Sequence, residues 1–196
     1  MRTIIRLAVA LTVLAAALLG WRLGSAEATA GVAVRPRLVV FDADREQIKM
    51  ARWAAWRFEI AQLDVPEVEV HFHDDPAGCY GYLGYAKGGR VDLCTTLVNV
   101  TSRRALLHEM GHIWLDENIV PDEQARFLEL RGLRSWNSRD VPWNLRGYEH
   151  GAEVFAWALG ERIITPSIPD NEPEKLGLAF RMLTGRDLPE LPSGLV

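Results

Sequence analysis

The chain has 196 residues, of which 48% are hydrophobic, and a formal net charge of −4. That is enough for one core of ordinary size, so one folded domain is the starting expectation. The charge is mild and no basic run is interleaved with aromatics, which excludes the electrostatic footprint of a nucleic-acid binder.

The N-terminus differs from the rest. Arg2 and Arg6 precede an apolar run from Leu7 to Leu19, and the small residues Ser25, Ala26, Ala28 and Ala30 follow. This is the layout of a secretory signal peptide over residues 1–30, with cleavage after Ala28 or Ala30. The alternative is an uncleaved membrane anchor, although the run is shorter than the roughly 18 to 20 apolar residues of a comfortable span. The expectation is an exported, secreted or cell-envelope protein that meets a membrane only if this segment stays attached. Residues 31–196 then form a single domain.

In that domain the pattern predicts a short strand over Arg37 to Phe41 and an amphipathic helix over Asp44 to Leu63. The helix has an apolar face of Ile48, Trp53, Ala51, Ala55, Trp56 and Phe58. Val68, Val70 and Phe72 alternate with Glu69, His71 and His73 as a strand with one buried face. Gly88-Gly89 between the alternating runs Tyr80 to Tyr85 and Arg90 to Leu93 reads as a β-hairpin. The only cysteines, Cys79 and Cys94, bracket it. In an oxidising compartment an even pair closes, so a Cys79 to Cys94 disulfide tying the hairpin is expected. Helices follow over about Ser102 to Glu117, Pro121 to Leu130, Gly147 to Leu159 and Pro173 to Leu183, with a tryptophan-containing connection from Gly132 to Arg146. Strands early and helices late give an α+β fold: a small N-terminal sheet with a disulfide-tied hairpin, packed on a helical core.

The first of the later helices carries His108-Glu109-Met110-Gly111-His112, the HExxH pattern. Residues four apart on a helix share a face, so both imidazoles can grip one metal ion, and Glu109 borders its open side. Gly111 should cost about 1 kcal/mol relative to alanine inside a helix, which implies that another segment approaches closely there. The expected visitor is the helix carrying a third ligand. A catalytic zinc usually takes three protein ligands and leaves one position for water. Two imidazoles with a carboxylate suit one zinc ion best. The candidates stand in Tyr148-Glu149-His150-Gly151-Ala152-Glu153-Val154-Phe155-Ala156, with two carboxylates four residues apart.

With these residues the chain resembles the gluzincin group of zinc metallopeptidases over residues 66 to 160, and small exported bacterial metallopeptidase-like proteins in its bridged hairpin. The resemblance implies that the helical core is zincin-like and that the activity is peptide hydrolysis, with Glu109 as general base. It offers two patterns for the third ligand. The E-x-F-A segment of lethal-factor-like enzymes matches Glu153-Val154-Phe155-Ala156 and makes Glu153 the preferred ligand beside His108 and His112. The E-x-x-x-D segment of thermolysin-like and neprilysin-like enzymes makes Glu149 the ligand and Glu153 a lengthened acid behind it. Asp116 is a candidate for orienting His112, and Tyr148 and His150 are candidate oxyanion donors. The expectation is an exported zinc-dependent peptidase acting on a peptide or protein laid along the hairpin edge. A zinc-stabilised binding or regulatory protein that cleaves nothing is the alternative from another class. A zinc amidase acting on cell-wall peptide is a third.

Overall fold

Alternating burial builds the sheet. In β2 (Leu38–Phe41), β3 (Val68–His73) and β5 (Arg90–Cys94), Leu38, Val40, Val68, Val70, Phe72, Val91 and Leu93 are buried while their neighbours are more exposed. One face therefore packs on helices and the other carries Glu69, His71, His73, Arg90 and Asp92. With β1 (Val32–Arg35) and β4 (Gly84–Lys87) the strand order is β1-β2-β3-β5-β4. The β2/β3 and β3/β5 pairs are parallel, and β1 and β4 are antiparallel edges. The computed structural model describes residues 31–190 apart from residue 36, and the expected signal peptide lies outside the described residues. Among the described residues no helix is long and apolar enough to cross a membrane.

The fold is α+β. Its helices are α1 (Arg45–Ile60), α2 (Val100–Asn118), α3 (Pro121–Arg131), α4 (Gly147–Leu159) and α5 (Pro173–Thr184). Side chains fix the starts of α1 and α2. Asp44 accepts from the Gln47 amide and Asn99 from the Ser102 amide, each in a reciprocal capping box. At α1 the expected extension to Leu63 fails because Gln62 adopts a left-handed φ of 57°, which turns the chain. Strand β1 gave no sequence signal: only Val34 of its four residues is buried, so there is no alternation to read.

The hairpin is shorter than its sequence pattern. Gly88 and Gly89, with φ of 59° and 79°, make the two-residue turn, which favours glycine because both centres have positive φ. Strand β4 starts only at Gly84, because Tyr80 (φ 55°) and Gly81 (φ 84°) break extended geometry. Cys79 ends a 3₁₀ turn, Pro76–Cys79, and is bonded to Cys94 at the end of β5 with the Cα atoms 6.0 Å apart. The bridge thus ties a turn, rather than the base of β4, to the sheet.

Phe155 on α4 joins the helical layer. Its ring lies 5.9 Å from Phe58 on α1, 4.8 Å from Trp114 on α2 and 5.8 Å from Phe180 on α5, with no exposure. Trp114 and Trp157 are buried, and Arg57 lies 5.7 Å over both Trp53 and Trp56, so these tryptophans are packing groups. His71 stacks on Phe41 at 4.5 Å and His73 pairs with Asp92 at 2.6 Å on the outer sheet face, away from the HExxH helix.

The approach implied by Gly111 is present and comes from α4. A Cβ at position 111 would sit 3.0 Å from Phe155 Cβ and 3.3 Å from the Ala152 Cα. Neither neighbour is a flexible side-chain end, so Gly111→Ala should lower stability by about 1–3 kcal/mol through overpacking, more than the ~1 kcal/mol alanine contributes as a helix former. Urea unfolding of the two proteins measures the difference; an unchanged or raised midpoint would contradict the close-approach account.

Candidate metal centre

On α2, His108 and His112 are one turn apart and both buried, at 8% and 6% exposure. Their rings meet edge to face at 4.8 Å. The Nε2 atoms converge on one oxygen of α4: Glu149 Oε2 lies 3.5 Å from His108 Nε2 and 3.2 Å from His112 Nε2. Ligand atoms of His108, His112 and Glu149 all fall within 4.8 Å of one another, a group that can hold a metal ion. Two backbone hydrogen bonds from the connection before α4 aim its first turn: the Gly147 amide donates to Ser135 O at 2.9 Å and the Tyr148 amide to Trp136 O at 2.8 Å. They satisfy amide groups that a helix start leaves unpaired, and they set the position of Glu149.

Glu153, the preferred ligand on sequence grounds, stands outside this group, and its third member is the alternative, Glu149. Glu153 Oε1 faces the other side of His108, 3.3 Å from Nδ1, at ion-pair distance but not in hydrogen-bond geometry. Its Oε2 accepts from Arg104 Nη2. The helical spacing that put both glutamates on one face was correct; the docking of α4 separated their tasks.

Glu109 is 8% exposed and lies against the edge strand. A Cβ on Gly84 of β4 would come within 2.8 Å of Glu109 Oε1, so only glycine leaves the carboxylate its place. Tyr148 stacks on the His112 ring at 4.2 Å, and its hydroxyl donates to Asp116 Oδ2 at 2.9 Å. Asp116 therefore touches Tyr148 rather than the His112 ring, and bears on that imidazole through the tyrosine. The Tyr148 hydroxyl is engaged there rather than held free as an oxyanion donor. His150 is 1% exposed and turned away: its Nε2 donates to Asn144 O at 2.8 Å, and Arg131 Nε donates to its Nδ1 at 3.4 Å. Adjacent helical residues are about 100° apart, so a helix that aims residue 149 at the histidines aims residue 150 elsewhere.

Sequence reasoning missed two participants. Arg104 lies one helical turn before His108, a spacing that would have flagged it. Trp143, in a 3₁₀ turn and 40% exposed, stacks over the His108 ring at 6.2 Å, and no sequence pattern announced it.

The electrostatics are those of a cluster short of positive charge. Three enclosed carboxylates, Glu109, Glu149 and Glu153, face two imidazoles and one guanidinium. Burial disfavours the charged form of His108, but the adjoining carboxylates of Glu149 and Glu153 outweigh it and raise its pKa from 6.5 to about 9. Burial likewise opposes the charge on Glu149, while the two adjoining imidazoles prevail and hold its carboxyl at about 2. Glu109 is shifted upward, chiefly by desolvation. Two imidazole nitrogens and a carboxylate oxygen converging at one point, with the surplus of acids around them, fit a divalent cation.

No family model, no curated protein and no solved structure matches this chain.

The metal-free protein should be most stable between about pH 4.5 and 6.5. His108 has a folded pKa above its ordinary 6.5, so its contribution is complete below 6.5 and disappears as pH rises through about 9. Glu149 has a folded pKa below its ordinary 4.5, so its contribution is complete above 4.5 and disappears as pH falls toward 2. Thermal melting of the chelator-treated protein across this range tests the profile; a melting point that keeps rising from pH 6.5 to 9 would contradict it.

Proposed function

We propose that the chain is an exported zinc-dependent peptidase of the gluzincin kind, with His108, His112 and Glu149 as metal ligands and Glu109 as general base. The observation that carries this reading is the convergence of both Nε2 atoms on Glu149 Oε2 with the Glu109 carboxylate beside them and against an open sheet edge. Glu153 behind His108 corresponds to the acid of the E-x-x-x-D pattern lengthened by one methylene, and supports the thermolysin-like of the two arrangements. The disulfide and the signal-like N-terminus support an extracytoplasmic location.

A zinc ion held there would bring the pKa of a bound water to about 7 and polarise a carbonyl. Glu109 accepts the proton of the attacking water at its carboxylate and passes it to the leaving amine. Desolvation raises the pKa of Glu109, which makes its carboxylate a better acceptor than an exposed one. An extended substrate adds to β4. In a two-residue hairpin the Lys87↔Arg90 pair next to the turn is hydrogen-bonded and pairs alternate from it, so Gly84 and Ala86 turn their main-chain N–H and C=O groups to the free edge. Glu109 sits at Gly84, so a peptide bonded there runs past the base.

One observation favours a metal-stabilised binding protein that cleaves nothing: neither Tyr148 nor His150 has its donor free for an oxyanion. Metal analysis and a peptide-library digest of the wild type and Glu109→Gln separate the readings. We expect one zinc per chain in both proteins and hydrolysis in the wild type only, with a loss in kcat of about 10² or more. Equal inertness of the two zinc-loaded proteins across the library would leave the binding reading. In parallel, Glu149→Ala should lose stoichiometric zinc while Glu153→Ala retains it with weaker affinity; the reverse order would restore Glu153 as ligand.

A further inference from the structure

We infer that Arg104 is a positioning residue that sorts the two glutamates of α4, clamping Glu153 on the Nδ1 side of His108 and so leaving the metal position to Glu149. This rests on the metal-centre reading above and adds the device that fixes its ligand set.

Both carboxylates share a helix face and both lie against one imidazole, Glu149 Oε2 at 3.5 Å from Nε2 and Glu153 Oε1 at 3.3 Å from Nδ1. Spacing and proximity to His108 do not distinguish them; their other partners do. Glu149 reaches His112 as well, whereas the second oxygen of Glu153 is held by the Arg104 guanidinium. Glu153 is only 3% exposed. An enclosed carboxylate keeps its charge only beside a cation, and without Arg104 the nearest strong one would be the metal itself. Among the described residues the guanidinium has its single acidic partner in Glu153, and its buried Nε has no partner. Arg104 is thus committed to this contact rather than shared across a network. Its place one turn before His108 on α2 means that the helix presenting the histidines also presents the clamp. The chain Arg104, Glu153, His108 thus keeps a carboxylate on the Nδ1 side of the ring and leaves Nε2 on the side of Glu149 and His112.

The test is Zn2+ affinity by competition with a chromophoric chelator, together with the absorption spectrum of the Co2+-loaded protein, neither of which needs turnover. The set is wild type, Arg104→Met, Arg104→Lys, Glu153→Gln and the double variant Arg104→Met/Glu153→Gln. Arg104→Met should weaken Zn2+ binding by roughly 10- to 100-fold, as losses behind a ligating histidine do, and alter the Co2+ spectrum. Arg104→Lys should recover most of the affinity, and the double variant should bind no more weakly than Glu153→Gln alone. Thermal unfolding of the metal-free variants separates loss of fold from loss of positioning, and if Arg104→Met does not fold, Arg104→Gln takes its place with the same expected loss. A wild type that binds Zn2+ with Arg104→Met equal to it in affinity and spectrum overturns the inference, as does a double variant in which the two losses multiply. A wild type that takes up no metal overturns the metal-centre reading and this inference with it.

Discussion

The approach of α2 to α4 at Gly111 is the contact on which the candidate centre depends. With no side chain at that position, the backbone of Ala152 and the Cβ of Phe155 come within van der Waals reach of α2. Only at this separation does a carboxylate on the first turn of α4 meet imidazoles on α2. The same contact seats Phe155 among Phe58, Trp114 and Phe180, so apolar packing that stabilises the domain also sets the distance between donor atoms. Spreading the helices would weaken the core and the metal-binding group together.

Around that contact the sheet and the connection before α4 act as locators. Strand β4 brings Gly84 against Glu109 and leaves one edge unpaired beside it, while the disulfide holds the preceding turn to β5. Trp136, 6.0 Å from Tyr148, supports the ring that stacks on His112, and backbone bonds from Ser135 and Trp136 pin the start of α4. Each histidine is thereby braced from a different side, His108 by Glu153 with Arg104 and His112 by Tyr148 with Asp116. Braces of this kind would lower the ordering cost of holding a metal ion at the group.

A common thread links these braces to the charge of the site. Burial alone would expel charge from the cluster, yet ion pairing keeps Glu149 ionised and His108 protonated in the metal-free protein. A metal ion held by His108 would displace that proton, so uptake would be coupled to proton release.

Local periodicity made much of this legible in advance. The HExxH spacing placed two imidazoles on one face of α2, Gly111 announced a visiting helix, and the alternation in β3 and around Gly88-Gly89 gave the sheet face and hairpin, because each is a property of a few neighbouring residues. The even cysteine pair announced its bridge. Helical periodicity brought Glu149 and Glu153 to one face and had no means to choose between them. It also set His150 beside Glu149 in sequence, although a rotation of about 100° per residue sends the two apart. The choice came from how α4 docks: its first turn is pinned opposite the histidines, its second turn meets Arg104, and Tyr148 is turned toward Asp116. Those are distances between segments 30 to 50 residues apart in the chain, set by the packing of the whole core. The sequence by itself brought two imidazoles together on one helix face; the tertiary structure alone decided the third member of the group that could hold a metal ion, because only packing says which of two equivalent carboxylates finds a guanidinium and which finds a second imidazole.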